Sequence, residues 1–225
     1  RILGARMGAV VAAIPDLFQS NPQLRVEGQV DGPTQEFLRY LELSPVSGWI
    51  GRFTEGARGT GEGRLSLRLG IPLAKTEATT VAGGMQFLGS QIQLDPDMPA
   101  FSQINGRLDF TERTVSARAI QTQLLGGGAT VGVQTRSDGA IQVSAQGNAA
   151  TRELRRLLDM PQLARLSGTL PWRGNLLVRR GAYELTLDSD LRGVAIDLPA
   201  PLGKAASEVM PLRIERTNVS DAETL

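Results

Sequence analysis

The chain has 225 residues, 41% hydrophobic but only 4% aromatic, with 24 Lys+Arg against 23 Asp+Glu for a formal charge of +1. It contains neither Cys nor His, which excludes disulfides, thiolate nucleophiles, Cys/His zinc sites and any Ser-His or Cys-His catalytic pair within it. The balanced charge, with arginines scattered apart from pairs such as Arg155-Arg156 and Arg179-Arg180, argues against nucleic acid as a partner, which would call for a basic stripe.

The chain opens on Arg1 and not on Met, and is read as a piece of something longer. Its most apolar early stretch, MGAVVAAIPDLF, is far short of the roughly 20 residues that span a bilayer, so an anchor is expected elsewhere. LRVEGQV reads as a strand. TQEFLRYL reads as a helix near 34–43, with Thr34 as N-cap and Phe37, Leu38 and Leu41 on one face. Residues 56–73, GARGTGEGRLSLRLGIPL, place glycines at 59, 61 and 63, which resemble a phosphate loop. Such a loop needs a helix after the glycines to supply amide groups. Here they lead into a strand and no Gly-Lys-Ser/Thr follows, so they are expected to mark a bulge or bend. The strand alternates, with Leu65, Leu67, Leu69 and Ile71 on one side and Arg64, Ser66 and Arg68 on the other.

VAGGMQFL, INGRLDF and TVSARAI are weaker strands. ATVGVQT (Val131, Val133) and IQVSAQG (Ile141, Val143) flank the turn Ser137-Asp138-Gly139 and form a predicted hairpin. TRELRRLL is a second helix, near 151–159, with Thr151 as N-cap and Leu154, Leu157 and Leu158 on one face. AYELTLDSDL is a further strand carrying Leu185 and Leu187, and 216–225 reads as a polar tail. Segments 24–70 and 141–190 look like two copies of one unit: strand, helix, a proline (Pro45, Pro161), a further helical turn, then strand. The fold class is mainly β, an antiparallel meander with two short helical inserts.

Carboxylates are the remaining route to catalysis. Asp95 and Asp97, and Asp188 and Asp190, are spaced by two, which suits paired acid work in a cleft. They are read instead as turn formers or the polar side of strands, with no metal, no cofactor and no enzyme expected. The alternation is the stronger clue. Four large aliphatics on one strand side forfeit roughly 6–12 kcal/mol if left in water. Eight-residue helices of roughly 12 Å cannot cover ten strands spanning on the order of 48 Å. Either the sheet closes on its own side chains as a sandwich or barrel, or an open groove holds an apolar ligand; scarce aromatics favour the groove, but composition as a whole puts the closed core first.

Four blocks together resemble the AsmA-like YhdP family of Gram-negative bacteria: GWIGRFTEGARGTGEGRLSLRLGIPL (48–73), INGRLDFTERTVSARAIQTQLLGGGATVGVQT (104–135), LSGTLPWRG (166–174) and SDLRGVAIDLPAPLGKAASEVMPLRIE (189–215). The resemblance implies a periplasmic, bridge-like lipid transport protein, anchored in the inner membrane, whose elongated twisted sheet forms a taco-like groove or open barrel. Phospholipid acyl chains would pass along it toward the outer membrane, supporting lipid homeostasis and barrier integrity. Residues 1–225 would be a single segment of a longer repetitive groove. The residues expected to line it are Leu65, Leu67, Leu69, Ile71, Val131, Val133, Ile141, Val143, Leu185 and Leu187. A five-residue strand stretch such as LSLRL matches an acyl chain of about 15 Å. The alternative is a closed β-sandwich serving as a structural or assembly module of the envelope.

Overall fold

A computed structural model describes residues 6–18, 20–43, 56–94, 98–158, 160–179, 182–199 and 201–218. In chain order the elements are β1 (Arg6–Ala13), β2 (Gln23–Pro33), α1 (Thr34–Leu43), β3 (Arg58–Pro72), β4 (Thr80–Gln93), β5 (Phe101–Thr111), β6 (Val115–Leu124), β7 (Gly127–Thr135) and β8 (Ile141–Ala150). There follow α2 (Thr151–Leu158), β9 (Leu166–Arg179), β10 (Ala182–Ser189), β11 (Val194–Ile196) and β12 (Leu212–Asn218). Short 3-10 turns occupy Thr76–Ala78 and Pro161–Arg165.

All the strands belong to one antiparallel sheet. β1 to β10 pair in chain order, β12 pairs with β10, and β11 adds to the end of β9. Among the described residues β1 bonds only to β2 and β12 only to β10, so the sheet is open at both edges and is not a barrel. Short hairpin turns make this order possible. In the β7–β8 turn, Arg136 N–H donates to the Ala140 carbonyl and Gly139 takes φ +82°, as the Ser137-Asp138-Gly139 signal predicts.

Residues directly opposite in an antiparallel pair project from the same face, so the register assigns faces across the sheet. Val30, Leu65, Met85 and Leu108 lie in one row from β2 to β5. Phe110 opposite Val115 carries the same face into β6. Ala117, Val133, Val143, Leu176 and Leu185 continue it to β10. The other face is polar. Asp31 opposes Arg64 and Glu27 opposes Arg68, with ion pairs at 2.6 and 3.8 Å, and Gln134, Gln142 and Asn175 form an amide chain at 3.2 and 3.0 Å.

The two halves of the sheet differ. From β7 to β12 the pairing is regular, whereas register shifts interrupt β3–β4, β4–β5, β5–β6 and β6–β7. Each shift inserts a residue and bends the strand. A buried cluster of Ile104, Ala117 and Ile120 sits in this bent region, with Phe87 of β4 and Val131 of β7 packed against it.

Both helices lie on that apolar face and at the same end of the strands. Each follows a strand without a loop, and each joins two strands that pair with one another, β2 with β3 and β8 with β9. The strand closing the second strand–helix–strand unit is therefore β9, and not the 182–189 strand that the sequence puts there. Thr34 and Thr151 open the helices and are 1% and 4% exposed. They do not act as the predicted N-caps, because their side chains face the sheet. The Thr34 hydroxyl bonds to Ser90 Oγ at 2.9 Å, which donates to the Glu62 carbonyl at 3.0 Å; Thr151 Oγ1 donates to the Gly168 carbonyl at 3.0 Å.

One further expectation, the polar tail, needs correction, and one stretch that alternation leaves unassigned finds its place. The early apolar stretch supplies an edge strand, β1, because its Val10 and Ala12 meet Gly28 and Val26 of β2. Strand β12 runs through Arg216–Asn218, so the first part of the presumed tail is paired with β10; 219–225 lie outside the described residues. So do the turn expected after Pro45 and the side chain of Leu41.

Candidate functional site

The stretch 56–73 shows why the apolar face keeps its shape. Gly61 has φ +87° and sits at the register shift between Thr60 and Glu62, a conformation that costs an L side chain about 1–2 kcal/mol. Its neighbours are small for another reason. A Cβ at Gly59 would meet Leu38 Cδ1 at 2.9 Å, and one at Gly63 would lie 3.5 Å from Phe37 Cε2 and overlap Met85 Cε. Helix α1 thus rests directly on backbone, with Phe37 and Leu38 buried. The glycines bend the sheet and seat a helix.

All ten residues expected to line the groove fall on the one apolar face. Leu65, Leu67, Leu69 and Ile71 share their side with Val30, Gly28, Val26 and Leu24 of β2. Val131 and Val133 oppose Ala145 and Val143, while Ile141 opposes Val178 and Leu187 opposes Gly174. Each of the ten is half-buried: none is sealed in the interior and none is fully exposed.

Besides the seat of α1 on β3, two small clusters pack on this face. One is at the bend; the other gathers Ala149, Leu170 and Val194 beneath α2, with Leu154 and Trp172 against it. Among the described residues no second sheet covers the rest. The chain leaves open a face that a sandwich would bury.

Several residues of this face escape a reading of alternation. Met85 and Phe87 follow Gly83-Gly84, which breaks the pattern of β4. Leu170, Trp172, Leu176 and Val178 of β9 do alternate, but Pro171, Gly168 and Gly174 mask the strand. Period-two counting with glycine accepted at apolar positions would have found them.

Asp188 and Asp190 are engaged by separate partners. Asp188 is 3.6 Å from Arg213 on the polar face, and Asp190 Oδ1 accepts the Arg192 N–H at 3.1 Å; Asp95 and Asp97 lie outside the described residues. Among the described residues no group of three or more His, Cys, Asp or Glu is placed to hold a metal. The shifted carboxylates belong to turns. Glu112 is held below the usual range by backbone N–H donors, its own and that of Val81. Asp138 is lowered first by the Ala140 N–H and then by Arg179 and Arg136.

The described strands thus form a single open sheet, polar on one face and apolar on the other, with no second sheet on the apolar side. The YhdP protein family model matches residues 1–225, and the chain belongs to that family. It is 24% identical over 221 residues to the intermembrane phospholipid transporter YhdP of Escherichia coli (strain K12), covering 94% of this chain and 17% of that protein. The chain thus spans about one sixth of the length of this curated relative. No solved structure matches it. Among the described residues no helix is long and apolar enough to cross a membrane.

Proposed function

We propose that the chain is a segment of a bridge-like periplasmic protein, anchored in the inner membrane through another part of the protein, that conducts phospholipids between inner and outer membranes. The observation that carries this reading is the apolar row running from β2 to β10, over which no second sheet lies among the described residues. The row crosses the strands, so the route follows the hydrogen-bonding direction, at about 4.8 Å per strand. An acyl chain of about 15 Å spans three strands. Leu65, Leu67, Leu69 and Ile71 contact it at one end of the segment, Val131, Val133, Ile141 and Val143 in the middle, and Leu185 and Leu187 beyond. Movement needs no reacting group, because a continuous apolar surface removes the cost of exposing acyl chains to water. Apolar contact reads lipid class weakly.

The test is the lipid recovered with the purified full-length protein. Phospholipid is expected by mass spectrometry from the wild type, and at least about tenfold less from a Leu67→Asp/Val133→Asp variant with an unchanged circular dichroism spectrum, a loss of the order that burying two aliphatics supplies. Equal lipid in both would reject these positions as the path. A closed sandwich acting only as a spacer is the weaker reading, since both sheet edges are open among the described residues.

A further inference from the structure

We propose that the polar face carries a second binding site: a transverse cleft of ≈ 900 Å³ that takes a neutral polyhydroxylated chain, a glycan, along the back of the trough. Its floor is one register row. Gln121 of β6 opposes Thr130, Thr130 opposes Gln146, Gln146 opposes Arg173, Arg173 opposes Asp188, and Asp188 opposes Arg213 of β12. Five strand spacings make the row about 24 Å long. All six side chains project away from the apolar face.

The cleft is preformed. At Gly128 nothing lies within 4 Å of where a Cβ would be, so its floor is open there. One wall is the neck of the 190–211 loop, closed by the Met210 N–H donating to the Asp190 carbonyl at 2.9 Å. Lys204, 6% exposed, holds that loop from within: its Nζ donates to the carbonyls of Leu191, Val194 and Ala205 at 2.9, 2.9 and 3.0 Å.

The occupant follows from what the cleft offers. Arg173 and Arg213 face Asp188 and Asp190, so these charges cancel and a polyanion gains nothing by entering. The side chains of Gln146, Asn148 and Arg173 have no hydrogen-bond partner among the described residues. These planar groups offer several hydrogen-bond donors and acceptors along one row, the kind of partner a chain of hydroxyls takes. Peptides bind through an unpaired strand edge or apolar side-chain pockets. Strands β7 to β10 are bonded on both sides, and the Trp172 ring packs on the opposite face. Recognition without ring stacking gives weak affinity, on the order of 1 mM.

The test is surface plasmon resonance on the full-length protein, with the β-1,4-linked hexamer of N-acetylglucosamine as the probe. Saturable binding near that affinity is expected, weakened about tenfold by Gln146→Ala or Arg173→Ala and unchanged by Gln134→Ala, on the same face outside the cleft. No saturable binding by about 10 mM, or binding indifferent to both substitutions, overturns the proposal. A neutral heptapeptide of Gly and Ser that competes equally would make the cleft a peptide groove and also overturn it. None of these outcomes depends on lipid, so the site stands or falls apart from the transport reading.

Discussion

Lys204 is the one cation among the described residues that is buried and satisfied wholly by backbone carbonyls. Replacing it with Met keeps the volume but removes three charge-assisted hydrogen bonds, each worth about 1.5–3 kcal/mol, although the Leu191 and Ala205 carbonyls still accept the Val194 and Glu208 N–H groups. Lys204→Met is expected to speed hydrogen exchange at the Ile196 amide, which bonds to the Lys204 carbonyl at 2.9 Å, while β7 and β8 keep their protection. Asp138 gives a pH effect of known sign. Its folded pKa is depressed, so its contribution is fully present above the ordinary aspartate value of about 3.9 and is lost as pH falls through the lower folded value. The β7–β8 turn should therefore loosen only in that acid window, read by carboxyl NMR titration. Asp138→Asn keeps an acceptor for the Ala140 N–H but does not titrate, and should abolish the transition at this turn.

At the scale of elements, the prediction concerns the bulge under α1. Gly61→Ala forces a Cβ to 2.9 Å from Ser90 Cα at positive φ, displacing the serine that bonds Thr34. A cost of about 1–2 kcal/mol should lower Tm by about 3–8 °C, and Gly59→Val should add an overpacking cost of about 1–3 kcal/mol against Leu38. A melt equal to wild type for both would mean that α1 is not seated on these glycines. What the sequence discloses follows the strength of the local signal. Strand β3 is legible because Leu65 to Ile71 alternate without interruption, and the β7–β8 hairpin because Asp138-Gly139 sits between two alternating runs. Strand β9 is not, because Pro171 and two glycines, Gly168 and Gly174, carry poor strand propensity and pairing on both sides overrides it. Strand β12 is hidden for another reason: its Leu212 and Ile214 are only two apolar residues, and its partner β10 lies across the 190–211 loop. Which way Thr34 and Thr151 point depends on neighbours 56 and 17 residues away, beyond any local window.

For the whole molecule, sidedness is the property that matters. The ten candidate positions were legible strand by strand, but their common facing depends on registers through β4, β5, β6 and β9 that alternation alone does not supply. If the row is a route, a single charge anywhere along it interrupts passage, whereas a charge on the other face does not. Val143→Asp is expected to cut phospholipid transfer by the full-length protein between labelled donor and acceptor vesicles to near background. Ser144→Asp, one residue along and on the polar face, should leave transfer within about twofold of wild type. Equal effects from the two would show that facing is irrelevant to transport.

The strict chain order of the pairing has a consequence for span. Because each of β2 to β8 bonds only to the strands before and after it, and the row runs perpendicular to them, every hairpin added or removed there alters reach by two spacings, about 9.6 Å. Distance is counted out in hairpins, like links in a chain, so a compartment a few nanometres wider can be met by repetition without redesigning any existing contact.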